Sequence, residues 1–261
     1  MNTGLQGTVV LITGASKGIG LACAVAMAKE GARVVGISRN QAHLELAQGD
    51  LRGQGLDMTL LAVDLSDAAA AVAAIEKIEA DIGPIGALVN SAGGARRYAR
   101  EELDSAAHHQ AFDAKYFTYI NAIDPVIKRM AARGGGSIVN IVGQGGRQAS
   151  DVHIAGGAAN AALMLASVGY AKAYAANDVR VNVINPGITR TGRVEEGLAA
   201  SMRSSGKGRD EALAALLAEI PRGRMAEPEE VANVAVFLAS GLASYVSGAI
   251  IPMDGGRASV I

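Results

Sequence analysis

Between a β-rich run and an Ala-rich helical run, Thr13-Gly14-Ala15-Ser16-Lys17-Gly18-Ile19-Gly20 gathers three glycines, a serine and a lysine. Glycines in such a turn let the backbone approach a pyrophosphate, and the helix that follows offers unpaired N–H groups to its negative charge. A nucleotide phosphate is the ligand that suits this arrangement. Groups able to move protons or steer anions gather after later β-rich runs: Arg96, Arg97 and Tyr98 in one loop, and Gln144, Arg147, Ser150, Asp151 and His153 in another. His153 titrates near neutrality and is a candidate proton donor; the competing reading is a hydrogen-bonding surface histidine. Arg96 and Arg97 either steer an acidic substrate or are solvated loop charges.

The elements that must position these residues alternate along the chain. Thr8–Ile12, Arg33–Ile37, Met58–Val63, Ala87–Asn90, Ser137–Val142, Arg180–Ile184 and Ala249–Pro252 read as seven strands separated by helical runs, the first from about Gly18 to Glu30. Gly31 stops that helix, as a residue tolerant of the left-handed cap would. Continuous apolar strands between helices predict a parallel α/β sheet covered on both faces, with ligands at the carboxyl ends of its strands. One domain over residues 1–261 is expected, with a mobile substrate flap around 192–220, of which Gly192 to Gly208 is the least regular part. With Cys23 the only cysteine, an internal disulfide is excluded and the residue reads as core. Without paired His/Cys spacing, no structural zinc site is expected. A formal net charge of -1 gives no case for nucleic acid or an anionic membrane. The first strand begins within a few residues of the start and no apolar run nears the ~20 residues of a membrane helix. A cytoplasmic protein is the expectation.

Further motifs agree with the glycine turn: Asp64 after the third strand, Asn90-Ser91-Ala92-Gly93 after the fourth, Asn185-Pro186-Gly187-Ile188-Thr189-Arg190-Thr191 after the sixth, then Pro228-Glu229-Glu230-Val231-Ala232 and Asp254-Gly255-Gly256. Together they resemble the short-chain dehydrogenases/reductases along essentially the whole length. The resemblance implies a three-layer, doubly wound, Rossmann-type sheet of seven parallel strands. It also implies a cofactor site: Gly14, Ser16, Lys17, Gly18, Ile19 and Gly20 at the pyrophosphate, Asp64 and Leu65 at the adenine, Asn90, Ala92 and Gly93 behind the cofactor. Pro186, Gly187, Ile188 and Thr191 would face the nicotinamide and pyrophosphate. At the end of the second strand a carboxylate suits the ribose 2′-hydroxyl of NAD, whereas cations suit a 2′-phosphate. Ser38 and Arg39 stand there, with Lys17 on the same side, so NADP is expected rather than NAD.

The proton machinery implied by the resemblance departs from the family pattern. Family members use a Tyr as acid/base, a Lys that lowers its pKa, a Ser at the substrate oxygen and an Asn supporting a water relay. No Tyr-x-x-x-Lys occurs in this chain. Family spacing puts the Tyr at Gly156, the Lys at Asn160, the Ser at Gly143 and the Asn at Lys115. Asn160 retains the ability to hydrogen-bond a ribose, and two glycines widen the pocket. Lys115 is either an acid/base or electrostatic group of lowered pKa, or a structural lysine. Three functions remain open: an NADP-dependent oxidoreductase of small carbonyls or alcohols with atypical proton chemistry, a lyase or hydrolase using Lys115, and a silent NADP-binding sensor or partner protein. By the same resemblance, the long helices at about Ser105 to Ala132 and Ala155 to Ala176 would join copies into a homotetramer or homodimer.

Overall fold

Strand order in the single sheet is β3-β2-β1-β4-β5-β6-β7, every neighbouring pair parallel. The strands are β1 (Val9–Thr13), β2 (Arg33–Ser38), β3 (Thr59–Ala62), β4 (Ile85–Asn90), β5 (Gly136–Ile141), β6 (Val179–Pro186) and β7 (Ile250–Met253). This computed structural model describes residues 2–206 and 208–258. The helices are α1 (Gly18–Lys29), α2 (Gln41–Arg52), α3 (Ala68–Asp81), α4 (Ser105–Ala111), α5 (Thr118–Arg133), α6 (Ile154–Tyr174), α7 (Gly192–Ser205), α8 (Arg209–Ala218) and α9 (Pro228–Ala239). Alternation along each strand divides the core. Val10 and Ile12 pack with α1, α2 and α9 on one face, while Val9 and Leu11 pack with α3, α5 and α6 on the other. Three layers result, with Cys23 fully buried in the first face and its thiol pushed up to about 12 by that burial.

Side-chain caps close the N-termini of α2, α3 and α4. Asn40 accepts from the His43 amide, Asp67 from Ala69 and Ala70, and Asp104 from Ala107. The N-caps of α1 and α7, Lys17 and Thr191, make no such bond. The first amides of both helices therefore stay open toward the carboxyl ends of β1 and β6. A polar chain crosses the core below: Asn90 Nδ2 donates to Asn140 Oδ1 at 2.9 Å, and Asn140 Nδ2 to Ser167 Oγ at 2.9 Å. It fixes α6 against β4 and β5, so the residues near the start of α6 cannot slide along the sheet.

Three sequence expectations need correction. The stretch read as an irregular flap is two helices, α7 and α8, with Lys207 between them outside the described residues. Val194, Leu198 and Met202 repeat every fourth residue there, and Leu198 is buried. The long helix expected over Ser105 to Ala132 is broken by a π-helical turn, Phe112–Phe117, which carries Lys115. Finally, one helical run does reach membrane length: Ile154–Asn177 holds an 18-residue window with a mean hydropathy of 1.3. Half of that window is buried inside the protein, as in a core helix, because α6 covers β6.

Candidate active site

Close backbone approach builds the cleft at the carboxyl ends of β1, β4 and β6. Gly14, at φ 70°, lies so near the β4 loop that a Cβ would come within 2.8 Å of the Ala92 nitrogen. Gly18, at φ 57°, faces Thr191, whose Cγ2 would stand 3.2 Å from a Cβ. A Cβ on Gly20 would overlap the Gly14 backbone, which lets α1 begin directly against the turn. Thr13 Oγ1 holds the two loops together, accepting from the Ser91 and Ala92 amides at 3.1 and 3.2 Å and donating to Asn90 Oδ1. The expected residues Gly14, Gly18, Gly20, Ala92 and Thr191 thus meet in one place, and the Lys17 and Ile19 positions lie in the same turn.

Ser38 bonds Ser16 across 3.1 Å at the end of β2, with Arg39 exposed beside them. Arg39 also contributes to holding the Asp64 carboxyl below its ordinary range, after the larger effect of the Ser66 backbone and hydroxyl bonds. Leu65 is buried, and its carbonyl accepts from Asn121 Nδ2 at 3.0 Å. Asn90 is fully buried with its amide and carbonyl both bonded in the core, so it supports the cleft from below. Across the cleft, Pro186 ends β6, the Gly187 amide donates to the Met253 carbonyl at 3.0 Å, and Ile188 is tied to Ala226.

The proton-chemistry candidates converge on the adjoining wall. A Cβ on Gly143 would touch Asn160 Nδ2 at 3.4 Å, joining the β5 loop to α6. A Cβ on Gly156 has no room: His153 Nε2 would stand 2.6 Å away and the Ala95 methyl 2.7 Å away. The imidazole thus occupies the volume that a side chain at position 156 would enter. Burial chiefly, then Arg97, Arg193 and Lys115, hold the His153 pKa below its ordinary 6.5, so the ring is neutral at neutral pH. Lys115 is only 7% exposed, and its Nζ donates to Tyr119 Oη at 2.7 Å and to the Ile141 carbonyl at 3.1 Å. Burial and the Arg193 charge hold that amine well below its ordinary pKa of 10.5.

Among the described residues, four buried side-chain polar atoms have no protein partner: Gln144 Oε1, His153 Nδ1, Asn160 Oδ1 and Asn185 Oδ1. All belong to the β5 loop, the start of α6 and the end of β6. Unpaired buried polar atoms are costly, and a cluster of them marks where a polar ligand completes the structure. Sequence reading named Gln144 and Asp254 without assigning them a role here, and passed over Arg193. Gln144 Nε2 donates to Asp254 Oδ2 at 2.7 Å, fixing the loop after β7 to the loop after β5. Arg193 reaches from α7 to the Gly93 carbonyl at 2.6 Å. The four-residue apolar repeat of α7 was the available signal for Arg193, which opens that helix.

A family model described as enoyl-(acyl carrier protein) reductase matches residues 14–258. The chain is a short-chain dehydrogenase/reductase. Its relatives include the D-threitol dehydrogenase of Mycolicibacterium smegmatis, 36% identical over 97% of this chain and 93% of that one. The galactitol 2-dehydrogenase (L-tagatose-forming) of Cereibacter sphaeroides is also 36% identical, over 97% and 95%. The crystal structure of L-sorbose reductase from Gluconobacter frateurii, complexed with NADPH and L-sorbose, superposes with a TM-score of 0.92. It is 30% identical and covers all of both chains. The short-chain dehydrogenase/reductase fold accounts for the cleft, and the cleft fits a nicotinamide dinucleotide on its own geometry. Three glycines leave a cradle that Cβ atoms would fill, and unpaired acceptors line its far end.

The lowered pKa of Lys115 makes a stability prediction. Between its native value and the ordinary 10.5, the unfolded chain binds more protons than the folded one, so the lysine's penalty is fully present at low pH and fades as pH rises. Lys115→Met removes the penalty while Tyr119 keeps its 2.6 Å bond to the Ile141 carbonyl. The variant should be more stable than the parent by about 1 kcal/mol or more near neutrality, with the gap closing toward alkaline pH. Urea unfolding across pH checks this; a destabilised variant, or a gap independent of pH, contradicts it.

Proposed function

We propose that this protein is an NADP-dependent dehydrogenase of polyol or sugar-like alcohols in which His153 moves the proton. The observation that carries the proposal is the imidazole seated against Gly156, half-buried, neutral and with Nδ1 unpartnered among the described residues. In the family pattern a tyrosine side chain would rise from position 156, where the His153 ring now stands. The polyol and sugar substrates of the threitol, galactitol and sorbose relatives support the substrate class. When bound, NADP supplies the hydride acceptor for alcohol oxidation, or the donor for the reverse reaction. The Ser38–Arg39 end of β2, with Lys17 in the glycine turn, would hold its 2′-phosphate, and the open amides of α1 its pyrophosphate.

In the oxidation direction His153 accepts the hydroxyl proton as the carbinol C–H bond gives up its hydride and the C–O bond becomes C=O. A lowered pKa suits that role, because the base form is present at neutral pH. Asn160 would orient the ribose or the substrate hydroxyl through Oδ1, which has no protein partner. Lys115 acts as a positioning residue. Its amine is committed to Tyr119 and Ile141 inside the fold, so it holds the end of β5 and the loop bearing Gly143. Copies of the chain are proposed to associate as a homotetramer through α5 and α6, where Leu165 is 77% exposed and Phe117, Ile154 and Val168 are also exposed. A monomeric mass by light scattering contradicts that assembly.

His153→Gln should lower kcat for NADP-dependent alcohol oxidation by about 10²–10⁴-fold, with the Kd for NADPH changed less than about threefold. Retained kcat contradicts the assignment of His153. The parent should also bind NADPH more tightly than NADH, and equal constants contradict the choice of cofactor.

A further inference from the structure

Two arginines are exchanged between the β4 loop and α7 across the mouth of this cleft. Arg193 at the start of α7 donates through Nη2 to the Gly93 carbonyl, and its guanidinium fills the space beside Gly94, 2.5 Å from where a Cβ would stand. Arg97 reaches back from the β4 loop, its guanidinium 3.8–3.9 Å from the Cβ position of Gly197 in α7. The pair frames the side of the cleft where His153 sits. Both guanidiniums are exposed, and among the described side chains neither forms an ion pair with a carboxylate. The neighbouring Arg96, by contrast, pairs with Glu102 at 3.4 Å and lies over the Tyr98 ring. The described charges acting on His153 are all positive: Arg97, Arg193 and Lys115, with no carboxylate offsetting them.

Like charge gathered on one side of a cleft, with no described carboxylate set against it, makes that side attractive to an anion. Arg193 spends one N–H on Gly93, and among the described residues no other acceptor is bound by its fork. A planar fork with a second guanidinium bridging the same two elements, the β4 loop and α7, suits a carboxylate or phosphate oxygen pair. We infer that the substrate of this site carries an anionic group, a carboxylate or a phosphate, held between Arg97 and Arg193 while the reacting hydroxyl faces His153. This inference deepens the dehydrogenase reading by naming what distinguishes its alcohol from a neutral polyol.

Calorimetry on the NADP-saturated protein tests it with matched probes: D-gluconate against D-glucitol, and D-glucose 6-phosphate against D-glucose. In at least one pair the anion should bind at least tenfold more tightly than its neutral partner. Arg97→Gln and Arg193→Gln should each weaken that binding about 10–100-fold, leaving NADP affinity within about threefold and thermal stability near that of the parent. Arg193→Lys should recover part of the loss, since a point charge replaces the fork. Preference for gluconate or for the sugar phosphate identifies which anion the site takes. Equal affinity within both pairs overturns the inference, as does an anion preference that survives in the folded double variant. Because the readout is binding, an arginine-dependent preference in a protein that oxidises no alcohol would overturn the dehydrogenase proposal alone.

Discussion

At the carboxyl ends of β1 and β4 two backbones pass so closely that neither Gly14 nor Gly20 has room for a Cβ. Thr13 Oγ1 bonds two amides of the β4 loop and a side-chain oxygen of Asn90, closing the seam from within. This close approach sets the rest of the site. The chain leaves β1 toward one face of the sheet and β4 toward the other, so a crevice opens between their loops. Any side chain at Gly14 would push the β4 loop outward and, with it, Gly93, Gly94 and Arg97. The turn lies against Thr191 through Gly18, which also fixes where α7 starts and where Arg193 enters.

Much of this frame was legible in the residues. Seven apolar runs became seven parallel strands, the five inner ones (β1, β2, β4, β5 and β6) largely buried on both faces, and Gly31 ends α1 in the left-handed conformation, φ 76°. The glycine turn, the Asn90–Gly93 loop and Thr191 were read as one site and do meet. Each of those signals is local: a residue type needed for a backbone shape, or a continuous apolar run. Their meeting follows from parallel topology.

What the sequence hid depends on tertiary contact. His153 could be read as a proton donor or as a hydrogen-bonding surface histidine, and only its packing against Gly156 makes it the occupant of that space. Lys115 could be read as catalytic or structural because its partners, Tyr119 and the Ile141 carbonyl, lie four and twenty-six residues away. The π-turn that carries it has no composition signal. Arg193 was hidden by the glycines around the start of α7 and the serines at its end, where a four-residue apolar repeat was the weaker cue. In each case the missing information was which surface faces which.

The account rests on one reaction at this cleft: hydride leaving an alcohol for NADP as its proton passes to a neutral imidazole. Single-turnover mixing of the NADP⁺-loaded protein with polyols and sugar acids, followed by the absorbance of reduced nicotinamide, tests it most directly. The prediction is formation of NADPH at a rate that rises with pH through one ionisation below 6.5 and is then flat. NADP⁺ bound tightly, with no reduced nicotinamide from any of these alcohols at any pH, would contradict it.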